Sequence, residues 1–224
     1  MATYESAIPY IQKAEGGLSR ATTDTASANP SPYVYKGVTG WHTNRGIIWP
    51  TFKALAPKVG YEISQENFIN MPDKVWLGIY KIGFWDDMKG DLYNSQSIAN
   101  AIVDFAWASG NGGARRDLIK YLSTKGISAS NSTSIANGFN SLVEKEGEKK
   151  VFNDLIEERK RFFKSLNQPA NEKGWLSRME TLRQQGISLI DTGVETIKKN
   201  PLPSAIITVL LLVSGYVLIN QFKK

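Results

Sequence analysis

The chain has 224 residues, 42% hydrophobic and 11% aromatic, which is enough to bury one sizeable core. It contains no cysteine, which excludes a disulfide framework, a thiolate metal site and a cysteine nucleophile. Its single histidine, His42, leaves carboxylates as the expected catalysts. The net charge of +6 indicates an anionic partner. Because no basic stretch is interleaved with aromatic residues, we expect no nucleic-acid binding.

The N-terminal residues predict a helix that ends at a carboxylate. Apolar residues recur with helical spacing from Ala7 to Ala14, and Glu15 follows. Gly16 and Gly17 would stop the helix and let the chain turn sharply beside Glu15. The segment lacks the basic start and apolar run of a secretory signal peptide, so we expect none.

The next part of the chain predicts a small polar lobe followed by helices. The stretch from Leu18 to Thr43 is rich in turn-forming residues, with a short strand predicted around Val34. The apolar pattern from Ile98 to Ala106 predicts a buried central helix. Helical patterns cover residues 49–55, 65–80, 97–108, 113–122 and 134–166. We therefore predict a mainly α domain with a small β or loop lobe.

The C-terminal residues predict a membrane anchor. The stretch 202–219 carries no charge, and its roughly 18 residues would span about 27 Å as a helix, close to the thickness of a bilayer core. We predict four segments: a catalytic domain over 1–185, a linker over 186–201, a transmembrane helix over 202–220 and a short basic tail over 221–224. The expected location is a membrane, held by a single C-terminal pass. Lysine pairs on both sides of the span leave its orientation open.

Glu15 is the candidate general acid. A glutamate that ends a helix beside a polar loop can be held in a partly apolar cleft, and such burial keeps a carboxyl group protonated. Taken alone, Glu15 is a weak signal, because a glutamate before a helix stop is far more often a surface residue. The motifs around it favour the catalytic interpretation.

Five ordered motifs between about residues 5 and 185 resemble those of the family 108 glycoside hydrolases, which are N-acetylmuramidases of bacteria and phages. The first, Ala14-Glu15-Gly16-Gly17, is similar to the signature that contains the family's catalytic glutamate. The others are Thr43-Asn44-Arg45-Gly46-Ile47, Tyr80 to Trp85, Asp104-Phe105-Ala106 with Ser109-Gly110 and Ala114, and Arg161-Phe162-Phe163 with Gly174-Trp175-Leu176-Ser177-Arg178.

The resemblance implies a lysozyme-like helical domain that hydrolyses the β-1,4 bond between N-acetylmuramic acid and N-acetylglucosamine in bacterial peptidoglycan. It implies no metal and no organic cofactor, with Glu15 protonating the leaving oxygen. We expect the catalytic domain to be monomeric and the lipid membrane to be a second partner, through the C-terminal helix. A membrane anchor without a signal peptide favours a lytic enzyme of a phage, including one whose virion contains a membrane.

The second catalytic group is less well defined, because the sequence departs from the family between Gly17 and Thr43. Asp24 lies nine residues after Glu15, a separation similar to that of the Glu and Asp pair of phage lysozymes. Asp24 could also be only a turn residue. Asp104 is expected instead to be a buried structural carboxylate, hydrogen-bonded near Thr43 or to a backbone N–H.

Polar and aromatic residues beside the predicted lobe are candidates for substrate binding. Thr39 and Thr43 could position a water, and His42 could line the cleft or lie on the polar surface. Trp41, Trp85 and Trp107 could stack on sugar rings, although Trp107, on an apolar helix, could equally belong to the core. The predicted substrate-binding set is Thr39, Trp41, His42 and Thr43.

Three other functions fit parts of the sequence. A lytic transglycosylase also uses one glutamate but forms an anhydro-sugar product. A noncatalytic peptidoglycan-binding or secretion-assisting membrane protein could keep the fold without the activity, but Glu15 beside two glycines disfavours it. A holin-like pore former would need more than one membrane segment.

Overall fold

The computed structural model describes residues 1–19, 34–35, 38–39 and 43–199. This part of the chain is mainly helical, which confirms the predicted class. The helices are α1 (Tyr4–Ala14), α2 (Trp49–Leu55), α3 (Gln65–Ile69), α4 (Asp73–Tyr80), α5 (Gln96–Ser109), α6 (Asn111–Thr124), α7 (Ser132–Glu146), α8 (Glu148–Ser165) and α9 (Pro169–Lys199). The strands are β1 (Leu18–Ser19), β2 (Val34–Tyr35), β3 (Val38–Thr39), β4 (Thr43–Asn44) and β5 (Ile47–Ile48).

Short antiparallel strands follow α1, as the turn-rich sequence predicts. One sheet has the order β1-β4-β5, in which Leu18 pairs with Asn44 and Thr43 pairs with Ile48. β2 pairs with β3 in a separate two-stranded sheet. The pairing of β1 with β4 brings the chain that leaves Glu15 beside the β4–β5 hairpin.

Two of the predicted helices are divided by residues that break helical geometry. The pattern over 65–80 forms α3 and α4, because Pro72 lies between them and precedes the first turn of α4. The pattern over 134–166 forms α7 and α8, which meet at Gly147 with a φ of 87°. A positive φ of this kind suits glycine and ends α7.

Helix α5 forms the centre of the core. Every residue from Ser97 to Ala106 is buried, and the helix packs against α1, α6 and α8. The Oγ of Ser95 caps the helix by accepting a hydrogen bond from the Ile98 N–H at 3.1 Å. The buried central helix predicted from the apolar pattern is confirmed.

Residues Met1–Ile187 form one compact unit, and a second unit begins at Ser188. Helix α9 runs to Lys199, so the predicted linker is helical over 186–199. The predicted span 202–220 and the basic tail 221–224 lie outside the described residues. Among the helices that the structure describes, none is long and apolar enough to cross a membrane.

Candidate active site

Glu15 occupies the first position after α1. Its backbone is extended, with φ −101° and ψ 129°, so the chain leaves the helix at this residue. Only 9% of its side chain is exposed. Gly16 and Gly17, both exposed, carry the chain from Glu15 into β1. The predicted helix end at the carboxylate is confirmed, and the carboxylate is largely buried.

Two donors from distant parts of the sequence bind one oxygen of Glu15. The indole Nε1 of Trp107, on α5, donates to Oε1 at 2.9 Å. The Nη1 of Arg178, on α9, donates to the same oxygen at 3.0 Å. Glu15 is thus held from two helices, and the orientation of its carboxyl group depends on their packing.

The β4–β5 hairpin lies against the other oxygen of Glu15. Its two central residues, Arg45 and Gly46, have φ values of 47° and 77°. Two consecutive positive φ values are what a two-residue type I′ hairpin turn requires. A Cβ on Gly46 would lie 2.6 Å from Oε2 of Glu15 and 2.6 Å from Cζ2 of Trp107. Glycine is therefore needed here both for the turn and for the close approach.

Arg45 fixes this turn although it is not a glycine. Its Nη1 donates to Asp73 at 2.5 Å, and its Nη2 donates to the Met71 carbonyl at 2.6 Å. Its own carbonyl accepts a hydrogen bond from Nε1 of Trp76 at 2.8 Å. These three contacts offset the strain of a positive φ at a residue with a side chain.

Asp104 lies beneath Glu15 in a network of alternating charges. Arg178 donates to Oδ1 of Asp104 from Nη2 at 2.6 Å and from Nε at 3.1 Å. Arg159 donates to Oδ2 at 2.7 Å. Asp104 is buried, as the sequence predicts, but the expected partners near Thr43 or on a backbone N–H are wrong, because the two arginines satisfy it.

The charges and hydrogen bonds of this network determine the ionisation states of Asp104 and Arg178. Burial alone would raise the pKa of Asp104, but the charges and hydrogen bonds of Arg178 and Arg159 outweigh it and lower the pKa from 3.8 to about 2. Burial alone would lower the pKa of Arg178, but Asp104 and Glu15 raise it above its usual value. Asp104 therefore stays ionised and Arg178 stays cationic at neutral pH.

Arg159 is fully buried and is stabilised by more than its ion pair. Its guanidinium lies 5.0 Å from the ring centre of Phe105 and 5.6 Å from that of Phe163. Its Nη1 also donates to the Ala101 carbonyl at 3.3 Å. Such cation–π contacts stabilise a desolvated guanidinium. Arg159 fixes Asp104 from within the core.

Trp107 is part of an aromatic cluster and also part of the site. Its ring makes edge-on contacts with Phe84, Tyr80 and Trp76 at centroid distances of 4.7, 5.3 and 5.8 Å. These contacts fix the direction of its indole N–H toward Glu15. Trp85, by contrast, is fully buried and donates to Asp91, so the predicted stacking of Trp85 on a sugar is wrong.

The remaining predicted site residues are only partly described. Asp24, Trp41 and His42 lie outside the described residues. Thr39 is in β3, where only the backbone is described, and Thr43 is a buried residue of β4. Their roles in catalysis and substrate binding stay predictions. In the part of the chain that is described, no three histidine, cysteine or acidic side chains come together to hold a metal ion.

Sequence reasoning missed three parts of the site. Arg178 and Gly46 belong to motifs found in the sequence, but the sequence did not predict that either residue contacts Glu15. Arg159 had no role, although an aspartate in an apolar helix signals that a buried cation must lie nearby. That signal does not say which of the chain's arginines is the partner.

Comparison with known proteins gives a family match over part of the chain and a similar fold. Residues 8–110 match the model of the family described as Glycosyl hydrolase 108. A solved structure of SagA from Brucella abortus is similar, with a TM-score of 0.61 and 23% sequence identity over 83% of this chain and 94% of that chain. No curated protein matches the sequence. Glu15, Gly46 and Trp107 lie within the matched residues 8–110, whereas Arg159 and Arg178 lie C-terminal to them.

Proposed function

We propose that this protein, a glycoside hydrolase whose residues 8–110 match family 108, is an N-acetylmuramidase with Glu15 as its general acid. The bond to be cleaved is the β-1,4 linkage between N-acetylmuramic acid and N-acetylglucosamine of peptidoglycan. The observation that carries the proposal is the setting of Glu15. It is a largely buried carboxyl group, held by Trp107 and Arg178 in the motif that resembles the family's catalytic signature.

In this mechanism Glu15 donates its proton to the glycosidic oxygen as the bond from that oxygen to the anomeric carbon breaks. The transfer leaves a carboxylate on Glu15. Arg178, whose Nη1 is 3.0 Å from that carboxylate, stabilises the charge that appears. Donors already fixed in place stabilise developing charge without reorganisation. Trp107 and Gly46 keep the carboxyl group in one orientation.

A second carboxylate is needed to attack the sugar or to activate water. Asp104 is unsuited to this role, because both of its oxygens accept hydrogen bonds from buried or half-buried arginines. We assign the role to Asp24 on its spacing from Glu15. Asp24→Asn is expected to impair turnover more than stability, and the reverse is expected for Asp104→Asn.

The test is Glu15→Gln, which keeps the shape of the side chain but cannot donate a carboxylic proton. Removing a general acid is expected to lower cell-wall hydrolysis by about a hundredfold or more. Glu5→Gln, in the exposed first turn of the same helix, is the matched control. Electrophoresis through a gel containing cell wall measures both. Activity of Glu15→Gln within a few-fold of the wild type would refute the assignment.

The products separate hydrolysis from the rival lytic transglycosylase reaction. A muramidase leaves a reducing N-acetylmuramic acid end, whereas a transglycosylase leaves the 1,6-anhydro sugar. Mass spectrometry of the released fragments distinguishes them by one water. Anhydro ends as the main product would make the protein a transglycosylase and leave the role of Glu15 intact.

Membrane attachment through residues 202–220 is the second part of the proposal, and it rests on the apolar sequence alone. A chain ending at Ile187 keeps the whole first compact unit and is expected to stay soluble, monomeric and active. The full chain is expected to sediment with membranes and resist carbonate extraction. A full chain that is soluble without detergent would refute the anchor. The suggested phage origin stays a prediction.

A further inference from the structure

Helix α4 continues into a π-helix, Lys81–Trp85. In its widened turn the Asp86 N–H donates to the Lys81 carbonyl, five residues back, at 2.8 Å. The next turn returns to α-helical spacing, because the Met88 N–H donates to the Phe84 carbonyl, four residues back, at 2.9 Å. Single π-helical turns are rare and are frequent at functional sites. The extra residue in the turn changes the direction in which Phe84 leaves the helix.

Phe84 is the residue of the π-helix that reaches Trp107. Their ring centres are 4.7 Å apart, closer than the 5.3 Å from Trp107 to Tyr80 and the 5.8 Å from Trp107 to Trp76. Phe84 also stacks on Tyr80, one turn earlier, with ring planes 21° from parallel. Because the two rings are in such close contact, a shift of the π-helix would move the Trp107 indole, whose N–H donates to Glu15 at 2.9 Å.

A side-chain hydrogen bond connects the π-helix to the chain that follows α5. Nδ2 of Asn111 donates to the Gly83 carbonyl at 2.7 Å. Gly83 directly precedes Phe84, and Asn111 lies four residues after Trp107, at the first position of α6. The bond therefore joins the backbone beside Phe84 to the backbone just beyond the helix that carries Trp107.

The Asn111 amide is only partly satisfied. Its Oδ1 is buried and has no hydrogen-bond partner among the described residues. A buried polar atom without a partner lowers stability, whereas a leucine of similar size would leave no such atom. Stability alone therefore does not explain an asparagine here, and the bond to Gly83 is the contact that an apolar residue could not supply.

Other contacts hold α6 in place independently of Asn111. Nη1 of Arg115, one turn further along α6, donates to Asp87 at 2.5 Å and to Oγ of Ser132 at 3.4 Å. Helix α6 also packs against α5 and α7. Variants of Asn111 are therefore expected to fold, with α6 in its normal position.

We propose that Asn111 is a positioning residue for Glu15. By fixing the π-helix against the end of α5, it keeps Phe84 on Trp107 and keeps the indole N–H of Trp107 on Oε1 of Glu15. Asn111 acts only through these two rings. The kinetic consequence rests on the proposed function, in which Glu15 is the acid, whereas the effect on the Trp107 indole does not.

The indole N–H of Trp107 reports on this connection without turnover. The full chain labelled with ¹⁵N-tryptophan has 6 tryptophans and gives one indole signal for each, and Trp107→Phe identifies the signal of Trp107. Asn111→Leu is expected to move this signal upfield and to speed its exchange with deuterated water about tenfold, because the bond to Glu15 is loosened. The indole signal of Trp49, on α2, should stay unchanged.

Asn111→Asp is a second variant, which keeps the shape of the side chain but has no N–H to donate. A carboxylate suits the first turn of a helix, so this variant is expected to fold and to change the Trp107 signal in the same way. Asn140→Leu is the matched control, since Asn140 on α7 donates a bond of similar length, 2.8 Å, to the Leu92 carbonyl. It is expected to leave the Trp107 signal unchanged. An unchanged Trp107 signal in the folded Asn111 variants, or an equal change in Asn140→Leu, would overturn the proposal.

Turnover of soluble peptidoglycan fragments separates positioning from substrate binding. Asn111→Leu is expected to lower kcat about tenfold with little change in KM. In a Trp107→Phe background it is expected to lower kcat by less than about twofold more, because the indole bond through which it acts is already gone. Losses that multiply in the double variant would overturn the proposal. Full activity of Glu15→Gln would refute Glu15 as the acid and leave the result for the Trp107 signal standing.

Discussion

Arg178 donates a 3.0 Å hydrogen bond from Nη1 to Oε1 of Glu15, although 163 residues separate the two in sequence. The same guanidinium binds Asp104 through Nε and Nη2. Arg178 is therefore held by a buried carboxylate on one side and holds the candidate acid on the other. The geometry of Glu15 thus depends on α9 as well as on its own helix.

Arg178→Lys is expected to lower kcat about tenfold or more with little change in KM. A lysine keeps the charge, but its single nitrogen cannot occupy the positions of Nε, Nη1 and Nη2, so the hydrogen bonds to Glu15 and Asp104 cannot all be kept. Turnover of soluble peptidoglycan fragments measures both constants. Arg183→Lys is the control, because Arg183 lies on the same helix and makes long ion pairs with Glu157 and Glu180, at 3.7 and 3.9 Å. Equal kinetics for the two variants would contradict a positioning role for Arg178.

Trp107→Phe is expected to lower kcat by about ten- to a hundredfold, the range for losing a hydrogen bond to a charged group. The aromatic ring, and with it much of the packing against Phe84 and Tyr80, is retained. Trp85→Phe is a close control, since it also removes a 2.9 Å indole hydrogen bond to a carboxylate, Asp91. The unfolding temperature should fall to a similar extent in both variants. A loss of activity in both would mean that packing, and not the bond to Glu15, matters.

Gly46→Ala is expected to reduce activity about a hundredfold. The new methyl group would lie 2.6 Å from both Oε2 of Glu15 and Cζ2 of Trp107, and misplacing a catalytic group by about 1 Å can cost that much. Gly60→Ala separates this collision from backbone strain. Gly60 has a similar φ of 72° but nothing within 4 Å of an added Cβ. Both variants should lose stability through backbone strain, Gly46→Ala the more because of the collision, and only Gly46→Ala should lose activity.

Asp104→Asn is expected to lower the unfolding temperature by several degrees at pH 7, because it leaves the buried Arg159 without its carboxylate. The pKa of Asp104 is lowered from 3.8 to about 2 in the folded state. Its ionisation therefore stabilises the fold fully above about pH 4, by about 2 kcal/mol, and this stability is lost as the pH falls toward 2. Calorimetry between pH 5 and pH 2 should show the wild type and Asp104→Asn converging. A difference in unfolding temperature between the two proteins that stays constant from pH 5 to pH 2 would contradict this link between the ionisation of Asp104 and stability.

The local pattern of the sequence was sufficient for most of the helices and for the position of the candidate acid. The spacing of apolar residues before Glu15 and the glycines after it predict a helix that ends at the carboxylate, and α1 ends at Ala14. The predicted bounds of α2, Trp49 to Leu55, are the observed ones. These features depend on residues within one or two turns of each other, so the sequence alone carries them.

Helix breaks were harder to predict, because Pro72 and Gly147 lie inside patterns that remain periodic on both sides. Apolar residues have helical spacing within α7 and within α8, and the positive φ at Gly147 separates the two helices. A glycine inside a helix is tolerated at a cost of about 1 kcal/mol, so its presence does not decide between a continuous helix and a break. The packing of α8 against α5, and of α7 against α6, decides it.

The partners of the charged residues were decided only by the tertiary structure. The sequence indicates that Asp104, in an apolar helix, must be neutralised, but 27 lysines and arginines could do so. Folding selects Arg159 and Arg178, which lie 55 and 74 residues away. It also brings Trp107 and Gly46 to the two oxygens of Glu15. Local periodicity specifies which face of a helix is buried, whereas the pairing of buried charges depends on how the helices pack together.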